Sequence, residues 1–274
     1  MVSYVNINTF FHNLQSRKRI LTARNNRSLL KELVRAKFKI NEHNSILGLL
    51  WSIIGPATML LLMYLIFVRR FGEEIEAYPL YLLLGISTLN FFIVATTVLA
   101  KSFYLDRAIA LNTALPREHI PVAYLCVEGY KFIVQMVLCV ILSLAYGVFS
   151  GKHFLLLIPV LVAYIFFLLG IGFILAIIHC HIRDIEHIWA IATRLLFFAT
   201  PIFYSLESVS RVARTLVYWV NPLTPFLITF RQIFIGTGNI NFVLYTRCVV
   251  TGVLFLLGGY IFFLINEGNA IERI

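Results

Sequence analysis

Long apolar runs separated by short polar connections dominate this sequence. The runs are continuously apolar rather than alternating, which favours helices over the strands of a β-barrel. Each run, as a helix, is long enough to cross a hydrocarbon core of about 30 Å. The pattern predicts an all-α integral membrane protein with six transmembrane helices, at approximately residues 47–68, 80–99, 122–148, 154–178, 186–204 and 244–265.

The stretch before the first run divides into a polar lead, residues 1–27, and an amphipathic segment, residues 28–42, which opens a single transmembrane domain extending to residue 274. We expect the lead to be mobile. In the amphipathic segment, a helix would separate an apolar face from a charged one, which predicts a helix lying in the membrane interface; an ordinary surface helix is the alternative. The faces are Leu30, Leu33, Val34 and Phe38 against Lys31, Glu32, Arg35 and Lys39.

Two connections between the runs are predicted to contain helices of their own. Residues 100–121 can form a short helix that ends before Pro116. Part of the connection 205–243, LVYWVNPLTPFLITFRQIFIG at 216–236, is too apolar for a solvated loop, and Asn221-Pro222 and Pro225 divide this run into two pieces too short to span. We expect two short helices that re-enter the outer leaflet, where such backbone must be buried in protein or line a wet cavity. A peripheral outer loop is the alternative.

Composition agrees with a membrane protein, and the charges orient it. Hydrophobic residues make up 60% of the chain and charged residues only 13%, about half the charged fraction of a soluble domain. Nine of the 23 Lys and Arg residues precede residue 40, and this basic arm suits anionic lipid better than nucleic acid. With the N-terminus inside, the inner connections carry 14 Lys and Arg against 6 outside. Both termini are therefore predicted to be cytoplasmic.

Sequence motifs of ATP hydrolysis and of other hydrolytic chemistry are missing. The nearest approach to a phosphate-binding loop, Gly147 to His153, is one residue short and ends in His instead of Ser or Thr. Neither G-x-S-x-G nor H-E-x-x-H occurs. We expect a chain that is not an enzyme and has no cofactor of its own. Glu128 and Lys131 can form a proton-relay pair, but an ion pair near the interface is the favoured interpretation.

Arg194 and several aromatic residues are the candidate substrate path. Arg194 lies well inside the fifth run, where a charge costs at least about 2.5 kcal/mol, so it should face a bundle interior or a wet path. Its guanidinium suits phosphate or carboxylate, with a structural pair to a neighbouring helix as the alternative. Aromatic rings can pack on sugar faces, although interfacial belts also collect them. The aromatic candidates are Tyr64, Phe67, Phe197, Phe198 and Tyr204.

The stretch HCHIRDIEH, from His179 to His187, has the residue types of a metal site. It falls in the predicted turn between the fourth and fifth runs. Side chains at i, i+3 and i+6 drift around a helix, which disfavours a shared ligand set. Asp184 lies where a helix N-cap is wanted, and Glu186 lies in the first turn, where it suits the helix dipole. We expect a charged, capped helix start without metal, and a metal site is the alternative.

Four stretches, in order along residues 28–265, together resemble the permeases of type-2 ABC exporters. The branch that they resemble most closely exports O-antigen, teichoic acid or capsular polysaccharide. The long polar lead departs from the pattern of this family. The stretches are LGLLWSIIGPATMLLLMYLIF at 47–67, LPREHIP at 115–121, RDIEHIWAIATRLLFFATPIFYS at 183–205 and NPLTPFLITFRQIF at 221–234.

The resemblance implies a homodimer in the cytoplasmic (inner) membrane of a bacterium, with a channel at the dimer interface. It implies a separate ATPase subunit that binds ATP and magnesium, and a polysaccharide on a lipid carrier as substrate. The two short helices would then form an outer gate. A coupling helix within residues 104–117 would dock on the ATPase, which gives the coupling candidates Asp106, Arg107, Arg117, Arg183 and Asp184.

Three other functions stay open from the sequence. An exporter of small drugs or lipids would have the same fold. An intramembrane enzyme acting on lipid-linked glycans would need a base or a metal at the membrane face, for which HCHIRDIEH is the best candidate. A structural assembly subunit has no feature that excludes it.

Overall fold

The computed structural model describes residues 23–43, 50–112, 116–149, 151–236 and 240–273, so most of the predicted lead lies outside it. The described residues are predominantly helical and contain no strand, as the all-α prediction requires. Their helices are α1 (Ala23–His43), α2 (Trp51–Phe71), α3 (Tyr78–Leu105), α4 (Arg107–Asn112), α5 (His119–Ala145), α6 (Gly151–Phe154), α7 (Leu157–His181), α8 (Ile185–Ala199), α9 (Arg211–Val220), α10 (Thr224–Ile235) and α11 (Phe242–Ile271).

Five helices are long and apolar enough to cross a membrane: α2, α3, α5, α7 and α11. They coincide with the first four predicted runs and the last. The fifth run differs, because α8 has 15 residues and ends at Ala199 rather than at residue 204. Thr200 is extended, with φ −103° and ψ 134°, as expected for a residue that precedes a proline. At 1.5 Å per residue α8 is about 22 Å long, short of a core of about 30 Å.

The centre of the bundle is α3, the most buried of the five long helices, which packs against α2, α5, α7, α8 and α10. Around it lies an aromatic core in which the Tyr164 ring centroid is 5.0 Å from that of Phe226 and 5.8 Å from that of Phe230. Phe226 and Phe230 belong to α10, which also contacts α5, α7 and α11. The short helix α10 is therefore buried inside the bundle rather than lying on its surface.

Glycines allow α7 and α11 to approach each other backbone to backbone. A Cβ on Gly259 would lie 2.1 Å from the carbonyl oxygen of Gly170, and one on Gly252 would lie 2.3 Å from that of Ala163. Such distances leave no room for a side chain. Small residues that bring backbones together are a common basis of helix association in membranes, where apolar surface alone drives little packing.

The amphipathic segment forms α1, and its two faces are those predicted. Its four apolar positions are half-buried, whereas its four predicted charged positions are exposed. The helix packs on α5, where the rings of Phe38 and Tyr130 meet edge to face at 5.4 Å. Lys37, part of the predicted basic arm, is instead 11% exposed and paired with Asp106. The position of α1 in a membrane interface stays a prediction.

Two short helices, α9 and α10, occupy the predicted outer connection 205–243. Nearly all of α10 is buried, whereas α9 exposes an apolar face. In the connection 100–121, α4 ends at Asn112, before Pro116, as predicted. Re-entry of α9 and α10 into a membrane stays a prediction. The exposed apolar residues of α9 are Val212, Leu216, Trp219 and Val220.

Candidate functional site

The two ends of the bundle carry different chemistry. The end that we call the α4 end contains α4, the turn between α7 and α8 and the last turns of α3. The opposite end, called the α9 end, contains α9, the connection from α8 to α9 and the first turns of α3. The predicted coupling residues lie at the α4 end. Of the predicted path residues, Tyr64, Phe67 and Tyr204 lie toward the α9 end, and Arg194 lies between the two ends, on α8.

A cleft of about 500 Å³ opens at the α4 end between α3, α4 and the α7–α8 turn. It contains three predicted coupling residues, Arg107, Arg183 and Asp184. Arg117 lies outside this lining, in the turn before α5. The remaining lining residues are Lys101, Tyr104, Leu105, His179, Glu186 and His187.

Charges in this cleft are partly paired. The Lys101 ammonium forms an ion pair with the Glu186 carboxylate, which ties the start of α8 to α3. The Arg183 guanidinium lies 5.6 Å from the centroid of the Tyr104 ring. Arg107 is exposed at the first position of α4. The cleft thus presents cations and carboxylates on the same surface, which suits a charged protein partner.

Asp106 differs from the other coupling candidates because its side chain is buried, with 8% of it exposed. Its carboxylate accepts a hydrogen bond from Lys37 on α1, and Lys37 also donates to the Tyr124 hydroxyl at 3.0 Å. Burial alone lowers the pKa of Lys37, but the hydrogen bonds and charges of Asp106 and Tyr124 outweigh it and raise this pKa above its ordinary value. Asp106 therefore holds α1 against the joint between α3 and α4.

The histidine-rich turn is organised by packing and by the helix ends. The His179 ring meets the Tyr104 ring edge to face at 4.9 Å, and Nδ1 of His181 lies 3.0 Å from the Ile177 carbonyl oxygen. Asp184 occupies the N-cap position of α8, but its side chain makes no capping hydrogen bond, contrary to our expectation. Across the part of the chain that the structure describes, no three His, Cys, Asp or Glu residues are grouped to hold a metal.

Toward the α9 end, three predicted path residues belong to two neighbouring groups of ring contacts, joined by hydrogen bonds, that we together call the aromatic cluster. Phe67 stacks on Phe203 with centroids 4.6 Å apart, and Phe203 meets Tyr204 edge to face at 5.1 Å. The ring of Tyr64 lies 6.3 Å from that of Tyr78. The cluster comprises Tyr64, Phe67, Tyr78, Tyr81, Phe203 and Tyr204.

Arg194 lies on an exposed face of α8 that is otherwise apolar. Ile191, Leu195 and Phe198 on the same face are all more than half exposed. Within the described residues, Arg194 has no hydrogen bond or ion pair, so the alternative of a structural pair finds no support inside one chain. The opposite face holds α8 on α3 through a hydrogen bond from the Trp189 indole to the Thr96 hydroxyl at 2.9 Å.

The last residue of α8 and the irregular connection after it, residues 199–207, are called the capped segment because each of their carbonyls accepts a hydrogen bond. The Arg231 guanidinium donates to the carbonyl oxygens of Pro201 and Ile202, both at 2.7 Å. The other carbonyl oxygens of the segment also accept hydrogen bonds. The donor and the residue whose carbonyl accepts are Asn221 to Ala199, the Ile202 amide to Thr200, Tyr78 to Phe203, Tyr81 to Tyr204, Ser208 to Ser205, and Arg214 to Leu206 and Glu207.

Arg231 itself is almost completely buried, with 7% of it exposed. It also donates to the Tyr81 carbonyl at 3.2 Å, and the Tyr81 ring centroid lies 3.3 Å from the guanidinium carbon. From the sequence, Arg231 was only one of the six outer Lys and Arg residues, and this role was not predicted. A signal was present, because Arg231 is the one charged residue in the apolar stretch NPLTPFLITFRQIF, and a charge in such a stretch calls for partners.

Comparison with known proteins identifies the family. Residues 28–235 match the ABC-2 type transporter family. The O-antigen export system permease protein RfbA of Klebsiella pneumoniae is 25% identical over 236 residues, 86% of this chain and 90% of the relative. The protein of the same name from Myxococcus xanthus is 27% identical over 209 residues, 76% of this chain and 80% of the relative. The chain belongs to the ABC-2 type transporter family.

Proposed function

We propose that this member of the ABC-2 type transporter family is the membrane permease subunit of an ATP-driven exporter of lipid-linked, O-antigen-like polysaccharide. The observation that carries the proposal is the match to O-antigen export permeases over most of both chains. The four sequence stretches that resemble polysaccharide exporters all fall within the described helices or their connections, apart from a few residues. ATP and magnesium would bind to a separate ATPase subunit.

The proposed topology has six spans, with α8 and the capped segment together forming the fifth. The about 22 Å of α8 falls short of a core of about 30 Å, so the residues that follow α8 would complete the span. Irregular backbone at membrane depth is tolerated where its polar groups are satisfied within the protein, and each carbonyl of the capped segment has a donor. The burial of α10 among four other helices similarly supports re-entry into the outer leaflet.

The proposed substrate path runs along α8 at the interface of a homodimer in the bacterial inner membrane, with both termini cytoplasmic. Exposure of Arg194 on an apolar face supports this arrangement, because a charge facing lipid alone is unfavourable. Like α8, α2 is largely exposed, and it is the second helix that has surface to contribute to such an interface. A guanidinium on the path suits the phosphates of a lipid-linked substrate, and the aromatic cluster suits sugar faces.

Coupling to the ATPase would use the cleft at the α4 end. Arg107, Arg183 and Asp184 are the residues of this cleft with exposed charges for a partner, whereas the buried Asp106 would act by holding α4. Charge reversal at Arg107 should weaken complex formation or ATP turnover with the ATPase subunit. The same change at Arg69, an exposed arginine of α2, is the matched control and should leave both unchanged.

Deletion of the encoding gene tests the proposed function. We expect loss of surface polysaccharide with accumulation of lipid-linked polymer on the cytoplasmic side, restored by the intact gene. Accumulation of a small drug or lipid with normal surface polysaccharide would instead indicate the small-molecule exporter. A polymer that reaches the surface with altered structure would indicate an enzyme acting on the glycan, and either result contradicts the proposal.

A further inference from the structure

The hydrogen bonds of the capped segment come from three separate parts of the chain. Tyr78 and Tyr81 lie in the first turns of α3. Asn221 lies just before α10, and Arg231 lies near the end of α10. Arg231 and Arg214 of α9 each hold two consecutive carbonyls of the segment, and Arg231 simultaneously holds one carbonyl of α3. A planar guanidinium can do this, since its donors diverge in a fixed fork.

The partners of Arg231 are neutral, which distinguishes this site from a structural salt bridge. In the described part of the chain its guanidinium contacts carbonyl oxygens and the Tyr81 ring, and its Nε is buried without a hydrogen-bond partner. Arg231 also lines a cleft of about 480 Å³ at the α9 end, together with Ser205, Gln232 and the carboxylate residues Glu74, Glu76 and Glu207. Polar groups of a ligand bound in that cleft can compete with the backbone carbonyls for hydrogen bonds from the Arg231 guanidinium.

We infer that Arg231 is a positioning residue that fixes the capped segment and so sets the outer end of the substrate path. The rings of Phe203 and Tyr204 are carried by this segment and reach α2 through Phe67. Release of the Pro201 and Ile202 carbonyls by Arg231 loosens the backbone that carries these rings, which is then held to α3 by the hydrogen bonds from Tyr78 and Tyr81. Binding of hydroxyl groups of the glycan in the cleft, whose lining includes three carboxylates, favours that release. This inference deepens the proposed function and rests on it.

The position of the segment can be measured without substrate. Ser205 is half-buried at the edge of the cleft, and Ser205→Cys can be labelled with a hydrophilic maleimide in the purified permease–ATPase complex in nanodiscs. The exposed Cys126 is replaced by Ser in this background, and the other three cysteines are buried. Complex yield is measured for every variant as the control for folding.

Arg231→Gln should raise the labelling rate at least about tenfold, because it removes at least two charged hydrogen bonds. Tyr81→Phe removes one neutral hydrogen bond to the segment and should raise the rate about fivefold. The matched control is Tyr245→Phe on α11, whose hydroxyl has no hydrogen bond within the described residues. It should leave the rate unchanged.

Labelling rates equal to the parent in Arg231→Gln and Tyr81→Phe would overturn the inference. If Arg231→Gln does not assemble, the double variant Tyr78→Phe, Tyr81→Phe decides in its place. Faster labelling with undiminished export in cells would also overturn the inference, since the segment would then be irrelevant to the path. Failure of the parent to export polysaccharide would instead refute the proposed function, and the labelling rates still show whether Arg231 holds the segment.

Discussion

The buried pair of Lys37 and Asp106 gives the most quantitative prediction. Lys37→Met keeps most of the apolar stem of the side chain but removes the ammonium, and with it the contacts of Nζ with Asp106 and Tyr124. The Asp106 carboxylate would then be buried without a cation, and one of its oxygens, Oδ2, already lacks a hydrogen-bond partner. We expect α1 to detach from the joint of α3 and α4, because an unpaired carboxylate is more stable in water than in protein.

The magnitude follows from the burial of the pair. Lys37 is 11% and Asp106 8% exposed, and removal of one partner of a buried pair costs about 3–5 kcal/mol. The same helix supplies a matched control in Arg35 and Glu32, an ion pair whose side chains are 65% and 69% exposed. Arg35→Met should cost about 0–1 kcal/mol. Both substitutions replace a paired basic residue of the same helix by Met, and they differ mainly in the burial of the pair.

Amide hydrogen exchange of the purified complex can measure this difference locally. Lys37→Met should accelerate exchange throughout α1, whereas Arg35→Met should not. Adding Asp106→Leu to Lys37→Met should recover much of the loss, since both charges are then gone. Equal exchange in Lys37→Met and Arg35→Met would refute the reasoning. Because the pKa of Lys37 is raised, the pair contributes stability below pH about 10 and loses it only at higher pH.

Three further substitutions test other parts of the account. Gly259→Ala should lower the apparent melting temperature because its Cβ would meet the Gly170 carbonyl, at a cost of about 1–3 kcal/mol, whereas Gly258→Ala, with open space around it, should not. Arg194→Gln should reduce polysaccharide export while dimer assembly persists, and unchanged export would remove Arg194 from the path. Glu186→Gln breaks the partly exposed ion pair to Lys101 and should change thermal stability by less than about 1 kcal/mol, so a larger loss would contradict the geometry.

Periodicity and composition predicted the elements of this fold well, since local patterns decide them. The long apolar runs became helices where expected, and the faces of α1 agree with its amphipathic pattern. The predicted ion pair is also present, with Lys131 Nζ 2.8 Å from a Glu128 carboxylate oxygen. Only three residues separate the members of that pair, so a helix brings them together whatever the rest of the chain does.

Contacts between distant residues escaped the sequence analysis. Lys37 and Asp106 are 69 residues apart, and their pairing depends on how α1 docks on the bundle. Arg231 was predicted to lie in an outer connection, but the burial of α10 carries it into the protein. The early end of α8, unlike these contacts, has a local signal in the sequence, because Thr200 precedes a proline and such residues avoid helical backbone.

The stretches 183–205 and 221–234 both resemble stretches of exporter permeases, and in the structure they are joined by hydrogen bonds. Asn221 and Arg231 in the second stretch donate hydrogen bonds to backbone carbonyls in the first. Neither stretch would be stable in its observed form without the other, since unsatisfied carbonyls at membrane depth cost several kcal/mol each. This mutual dependence could be read only from the structure.

Reconstitution tests the central claim most directly. The permease and its ATPase subunit are incorporated together into proteoliposomes that contain fluorescently labelled lipid-linked polysaccharide, and the appearance of glycan on the opposite face is followed by lectin binding. The account predicts translocation that requires ATP, magnesium and both subunits. Hydrolysis of ATP without any movement of glycan, while a small lipid or drug is transported, would contradict it.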